Sequence, residues 1–371
     1  MEFTVSKADL VRELNLSQGV VEKKATIPIL SNILVEASED RLTLTATDLE
    51  LGIRSVTPAK VKTGGTGTIP AKRLLDYVRL LPEAEINVKF SDTHWASLTC
   101  GRSRSRIAGM SKETYPELPE MPETAVEVSL SALTSLVQKT IFSISNEDSR
   151  FTLNGALLQV AEGAMTMVAT DGHRLALAHQ NGCAGEAAPS KALLPKKAMV
   201  ELLKMAAEAG GEDVRIQYAS DDNHLFFRVG DRLLMSRKLT GNFPDYERVL
   251  PRSHAHVITL NREELRATIE RVAQFADERT RAIKIQLADN EAKIHSSLSE
   301  TGESEESLGI EYVGPTVEIG FNAQYLVEFL RAVPESEVAF HFKDGQSAGE
   351  LRPAGDGLAY EYRYVVMPMR I

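Results

Sequence analysis

The sequence predicts an α+β chain of three like units in series, each combining antiparallel strands with two helices. Three observations carry that prediction. First, landmarks recur at one spacing: Leu10 precedes Leu133 by the same interval that separates Thr47-Asp48 from Thr170-Asp171, and two independent landmarks at one offset mark an internal repeat. Second, helix segments recur as near copies, as in Val200-Glu201-Leu202-Leu203 and Val327-Glu328-Phe329-Leu330. Third, Arg150 to His179 reads as three short strands and two tight turns, and a relative of it runs from Ile33 to Ile53.

Taken in order, each unit opens a helix with a short polar residue before an apolar periodic run, the expected start signal. The three starts are Ser6, Ser129 and Asn261. A strand set follows each: Ile33 to Ile53, then Phe151 to Ala178, then Ile283 to Leu298 with Asp289-Asn290 at its turn. In the second set Glu162-Gly163 and Asp171-Gly172 turn the chain, because glycine adopts positive φ cheaply. A Gly172-His173-Arg174 insertion distinguishes that second turn from Thr47-Asp48 in the first set. A second helix then begins at Pro70, Pro195 and Phe321 in turn, with proline suited to a first helical turn. Further strands start at Ile86, Val214 and Val338. The repeat therefore reads helix, strands, helix, strands over a length of domain size. Boundaries fall near Tyr115-Pro116-Glu117 and Phe243-Pro244-Asp245, giving 1–122, 123–251 and 252–371. The acidic run Glu300 to Glu306 reads as a solvated loop.

Composition excludes several classes. No apolar run approaches the roughly 20 residues of a membrane span. MEFTVSKADL has no basic and apolar leader, so a cytoplasmic protein is expected. Cys100 and Cys183 have no metal-ligand or redox spacing and read as reduced thiols. A net charge of −10 argues against a surface coated for nucleic acid, yet leaves room for a local basic patch.

The candidate chemistry is sparse. Asp171, His173 and Arg174 share a turn, but no nucleophile, metal spacing or phosphate loop accompanies them. His173 reads as a binding residue or a structural one, and no catalytic, metal or cofactor site is expected. Basic groups stand at Lys23-Lys24, Lys72-Arg73, Arg102, Arg104, Arg106 and Lys196-Lys197. They read either as solvated faces or as phosphate contacts. Lys72-Arg73 and Lys196-Lys197 follow the helix-starting proline in two repeats, which favours a shared basic lining making sequence-independent backbone contact. The tail Tyr364-Val365-Val366-Met367-Pro368-Met369-Arg370-Ile371 is either a packed strand or an adaptable, methionine-lined surface.

The chain resembles the bacterial sliding-clamp family, the β subunit of DNA polymerase III. The motifs that carry the resemblance run from MEFTV through TIPILSNILVEA, TATDLE, IPAKRLLD, LNGALL, VATDGHRLAL, NFPDYERVLP and IGFNAQYL to YVVMPMRI. The resemblance implies three clamp domains with helices lining a ring and sheets outside, closed by two chains head to tail around double-stranded DNA. It implies no catalytic activity. Its partners would be the polymerase III alpha subunit, the clamp loader, and other polymerases and repair proteins, all binding through linear peptide motifs. The family's peptide cleft would fall on Leu153, Thr170, Gly172, His173, Arg174, Leu175, Pro244, Arg248, Val249, Asn322, Tyr325, Val365, Met367, Pro368, Met369 and Arg370. Its DNA contacts would fall on Lys24, Ile27, Lys72 and Lys197, with Arg73 and Lys196 beside them. Phe151-Thr152 stands where relatives often have a Tyr pair. The ring interface is expected at Ser105 and Ile107, opposite Phe275.

Overall fold

A computed structural model of the chain describes residues 1–21, 26–147, 149–186, 189–211, 213–298 and 302–370. Six α-helices lie among them: α1 (Lys7–Gln18), α2 (Ala71–Leu80), α3 (Leu130–Thr140), α4 (Lys196–Ala209), α5 (Arg262–Val272) and α6 (Ala323–Ala332). The sequence start signals act as expected at α1 and α5, where Ser6 and Asn261 side chains accept from Asp9 N and Glu264 N. Ser129 accepts from Ala132 N at the head of α3. Such caps contribute about 1 kcal/mol each. Pro70 stands at the N-cap of α2, one place earlier than a first-turn proline. Phe321 lies inside the strand Val317–Asn322, and Asn322 caps α6.

Each repeat opens with a strand that the sequence reading left out. Glu2–Ser6, Val126–Ser129 and His256–Asn261 lead directly into α1, α3 and α5. They pair antiparallel with Glu85–Phe90, Arg215–Ser220 and Glu337–Phe342, the strands after the second helix. The order is therefore strand, helix, strands, helix, strands, and each repeat is closed by its first strand.

The strands form four antiparallel sheets in two compact units. The first unit comprises residues 1–134 and 197–238, the second 135–196 and 239–371. In the first unit, Val126–Ser129, Arg215–Ser220, His224–Val229 and Arg232–Arg237 run on into Leu51–Pro58, Arg41–Thr47, Asn32–Ser38 and Gly65–Pro70 as one eight-stranded sheet. The join is the ladder Leu234↔Ile53. Beside it, buried Glu13 on α1 meets Arg232 at 2.7 Å. A five-stranded sheet ends on Ser103–Ala108. In the second unit, Ser190–Pro195, Gly155–Ala161, Ala164–Thr170 and Arg174–Gln180 run on into Tyr360–Val366, Gly349–Pro353, Glu337–Phe342 and His256–Asn261, joined at Leu175↔Val365. A four-stranded sheet ends on Gly302–Gly309. Apolar residues alternate inward along these strands, as Ile283, Ile285 and Leu287 do. The sheets thus run through the repeat boundaries, which is why the central repeat is shared between the two units.

Two expectations need correction. The acidic run is no loop: from residue 302 onward it is the edge strand Gly302–Gly309, while Glu300 and Thr301 lie outside the described residues. Its charges sit on an edge, where they discourage promiscuous pairing, and Lys293 and Arg271 answer Glu305 and Glu306. Phe151–Leu153 is a 3-10 turn, and the strand starts only at Gly155. Glycine is required there because a Cβ would lie 2.3 Å from the Leu194 carbonyl oxygen. No helix among the described residues is long and apolar enough to cross a membrane.

Candidate functional site

The turn at 171–173 sets the site. Thr170 Oγ1 donates to Arg174 O and accepts from Gly172 N. Asp171 Oδ1 accepts from the backbone N–H of both His173 and Arg174, at 2.9 and 3.1 Å. The first repeat makes the same four bonds: Thr47 Oγ1 with Leu51 O and Leu49 N, and Asp48 Oδ1 with the N–H of Glu50 and Leu51. Leu49 and Gly172 share positive φ, 76° and 90°. The two turns therefore match residue for residue. Gly172-His173-Arg174 is a replacement of Leu49-Glu50-Leu51, and no insertion is present. The replacement puts an exposed imidazole where Glu50 stands and a buried guanidinium where Leu51 stands.

Arg174 is 8 % exposed, and nearly all of its donors are used internally. Nε donates to Asp171 at 3.0 Å and Nη2 to Phe142 O at 2.5 Å. Nη1 donates to Glu328 and faces Tyr364 Oη at 3.5 Å. The guanidinium carbon lies 4.2 Å from the centre of the Tyr325 ring, a cation–π contact. Burial opposes the charge, but Tyr364 and Glu328 outweigh it and hold Arg174 more firmly protonated than usual. Arg174 therefore fixes the turn and the Tyr325 ring from beneath. Arg150 was not singled out as a site residue. Its Nη1 donates to Asp171 O at 2.6 Å and lies against Gly172.

The tail and the 239–251 segment bring further residues to this turn. Met367 N donates to His173 O at 2.9 Å, and Met369 N to Gly320 O at 2.8 Å. Met367 is 45 % exposed. Leu175, Leu177 and Val365 form an apolar sheet face with Leu157, Val168 and Leu193, and Phe243, Tyr246 and Leu250 pack on it. Those three anchors were also missed, although their spacing of three and four is a one-sided helical signal. Pro244, Arg248 and Val249 are among the exposed members of the same segment. Leu153 is half-buried, its carbonyl bonded by Ser145 N. The Asn322 side chain is occupied with the α6 cap and with Thr280 O. Pro368 is half-buried, Arg370 is exposed, and Ile371 lies outside the described residues. Beside this covered apolar face stand an exposed methionine, Met367, and an exposed imidazole, His173, side-chain types that suit contact with short apolar peptide segments.

The basic candidates divide. Lys24 lies outside the described residues. Ile27 is 48 % exposed. Lys72 and Arg73 are exposed on α2, with Lys72 paired to Asp76 at 2.5 Å. Lys197 is exposed and paired to Asp48. The Lys72–Asp76 pair is exposed on both sides and contributes little, whereas the Asp48 side chain is only 8 % exposed. Lys196 differs: it is half-buried and donates to Asn146 at 2.8 Å. Its pKa is lowered by burial and then by Arg174, against the pull of Glu328. Its surroundings are those of the peptide-side network. On α5, Arg266 is paired with Glu263 and Glu270, and Arg271 with Glu306.

Two sheet edges complete the picture. On Ser103–Ala108, Arg104 and Arg106 are exposed on one face, with Arg106 stacked over Trp95 at 4.9 Å. Half-buried Ser105 and buried Ile107 occupy the other face. On Gly302–Gly309, Glu303 and Glu305 are exposed on one face. Phe275, 40 % exposed, lies against Gly302, where a Cβ would be 3.3 Å from its ring.

Known proteins match this whole layout. Residues 1–119, 127–245 and 247–370 match the DNA polymerase III beta subunit N-terminal, central and C-terminal domains. The Beta sliding clamp of Chlamydia muridarum is 33% identical over 373 residues, covering 100% of this chain and 99% of the relative. That of Pseudomonas putida is 33% identical and covers 100% of both. A Pseudomonas aeruginosa sliding clamp solved bound to griselimycin is 33% identical, covers 100% of both chains and superposes with a TM-score of 0.93. The chain belongs to the DNA polymerase III beta subunit family.

Proposed function

We infer that the protein is a sliding clamp: two chains close head to tail into a ring around duplex DNA, slide on it, and tether the replicative polymerase. It is a processivity factor and performs no reaction of its own. Tethering makes each rebinding of the polymerase effectively intramolecular. Three clamp domains divide at 1–122, 123–251 and 252–371, and the protein works in the cytoplasm.

The observation that carries the ring is the pair of free sheet edges. One chain presents an arginine-bearing edge in its first repeat and a glutamate-bearing edge in its third. Two copies placed head to tail set each charged edge against its opposite, so one contact is used twice and the assembly closes. Arg104 and Arg106 then face Glu303 and Glu305, and half-buried Ser105 meets Phe275, while Ile107, buried in its own chain, backs the edge from within. Lys72, Arg73, Lys197 and Ile27 face the DNA backbone, and Lys24, outside the described residues, is proposed to contact it. They read no bases, which leaves the ring free to slide. Lys196 supports the cleft rather than the DNA face.

Residues 170–175, Tyr325, Val365, Met367 to Arg370 and the 244–249 segment, with Leu153 and Asn322, take the linear peptides of the polymerase, the clamp loader and repair proteins. The Pseudomonas aeruginosa relative was solved bound to griselimycin, and we propose this cleft as the place where this chain takes it. Two measurements test this reading. Light scattering should give twice the 40.8 kDa chain mass. Protein loaded on nicked circular DNA should stay bound through a salt wash and be lost when the circle is cut. Retention on the linear product would refute topological linkage. Lys72→Ala with Lys197→Ala should slow loading and lower its salt dependence by about two phosphate equivalents, with griselimycin affinity unchanged.

A further inference from the structure

The cleft residue with the most internal bonds, Arg174, has two carboxylate partners of unequal origin. Asp171 belongs to its own turn, whereas Glu328 reaches it from α6. We propose that Glu328 is the positioning residue of the peptide cleft, holding Arg174 so that the Tyr325 ring and the His173 turn stay in binding register. The proposal rests on the cleft reading above.

The geometry supports it at each atom. One oxygen of Glu328 takes Arg174 Nη1, and the other accepts from Gln324 Nε2 at 2.9 Å. Gln324 is in turn bonded by Arg281 through its carbonyl oxygen. Glu328 is therefore fixed from two sides. Opposite it, Arg174 lies face-on to Tyr325, and Tyr364 Oη donates to Tyr325 O at 2.9 Å. Tyr325 is held at its ring by Arg174 and at its backbone by Tyr364, and Glu328 orients the first of these. A guanidinium released from Glu328 keeps Asp171 and Phe142 O, which lie on one side of it, and is free to tilt off the ring. The near copy of this helix, Val200-Glu201-Leu202-Leu203, also carries a glutamate at this place. Glu201 bonds Lys204 of its own helix, so the role in the cleft belongs to the third repeat.

The test uses the full-length dimer and griselimycin as probe. Glu328→Gln keeps size and hydrogen-bonding capacity and removes the charge; it should weaken griselimycin binding about tenfold while the dimer persists. Glu328→Asp should recover part of that loss. In an Arg174→Met background, Glu328→Gln should cost nothing further, because the path through Arg174 is gone. The Arg174 Nε–H resonance should exchange faster with water in Glu328→Gln even without ligand. Leu330→Ala, buried in the same helix, serves as the control that lowers stability and spares affinity. Wild-type affinity and unchanged Nε–H protection in Glu328→Gln would overturn the positioning role alone. Failure of the unaltered dimer to bind griselimycin, with Nε–H protection still dependent on Glu328, would overturn the cleft reading and the proposal's link to binding.

Discussion

Replacing Arg104 and Arg106 by glutamate will split the dimer into monomers. The substitution sets four like charges against each other on facing edges, since Glu303 and Glu305 already occupy the exposed face of Gly302–Gly309. Like-charge juxtaposition across an interface costs several kcal/mol, so dimer dissociation should rise at least ~100-fold. Glu303→Arg with Glu305→Arg should do the same from the other side. Mixing the two variant proteins should restore a dimer. In the mixed ring one interface is the original pairing and the other is its mirror in charge. Sedimentation of each variant and of the mixture decides the matter. Two variants that stay dimeric alone would show that these edges do not meet. The interface is also expected to weaken with salt, because its exposed charges are screened. Trp95, the chain's one tryptophan, lies beneath Arg106, and its fluorescence should follow the dissociation.

Removing Glu350 will be the most costly single change inside the second unit. This carboxylate is fully buried and bonded by Arg352 Nε at 2.8 Å, by Arg363 Nε at 2.5 Å and by His254 Nε2 at 2.8 Å. Burial works against its charge, but Arg363 and Arg352 prevail and its pKa lies below the usual range. Glu350→Gln leaves two arginines without a counter-charge, and breaking such a group costs about 3–5 kcal/mol. Urea unfolding should show that loss in the midpoint with an unchanged slope.

His341 gives the same cluster a dependence on pH. Its ring lies 4.9 Å from that of His254. Burial first, then Arg352 and His254, push its pKa down to about 4. The folded protein therefore keeps His341 neutral over a range in which the unfolded chain protonates it. Stability from this group is complete above the ordinary value near 6.5 and falls as pH drops from there towards 4, by at most about 1.4 kcal/mol per pH unit. Glu350, with its lowered pKa, adds its own loss below the usual carboxylate range. His341→Gln should remove the part between 6.5 and 4 and leave the lower part. An unaltered pH profile in that variant would count against a neutral, half-buried His341.

What the sequence made legible was whatever recurs or punctuates. The repeat showed in Thr47-Asp48 and Thr170-Asp171, and the helix starts showed in Ser6, Ser129 and Asn261. The opening strands were hidden because Glu2–Ser6 and Val126–Ser129 are short and run into helices with no turn residue between. Gly302–Gly309 was hidden because GESEESLG has almost no apolar residue. Its pairing comes from the neighbouring strand, an effect of tertiary context that strand propensity does not capture. The turn at 171–173 was found as a feature and misjudged as an insertion, although the one spacing that pairs Thr47-Asp48 with Thr170-Asp171 already aligns it residue for residue with 49–51. At the site, His173 and the methionine tail were visible by type. Glu328, Phe142 and Tyr364 were not, because they reach Arg174 from distant parts of the chain.

The continuous eight-stranded sheet of the first unit bears on what a severed chain would do. A protease that cuts at the exposed Glu123-Thr124 separates the first repeat covalently from the rest. The ladder between Leu51–Pro58 and Arg232–Arg237 remains, as does the buried Glu13–Arg232 pair. The two pieces should part on a denaturing gel and travel as one body on a native column. Covalent continuity is then incidental at that joint. The chain behaves as parts riveted by backbone ladders, and the joint proposed between two chains would be one more rivet of the same make.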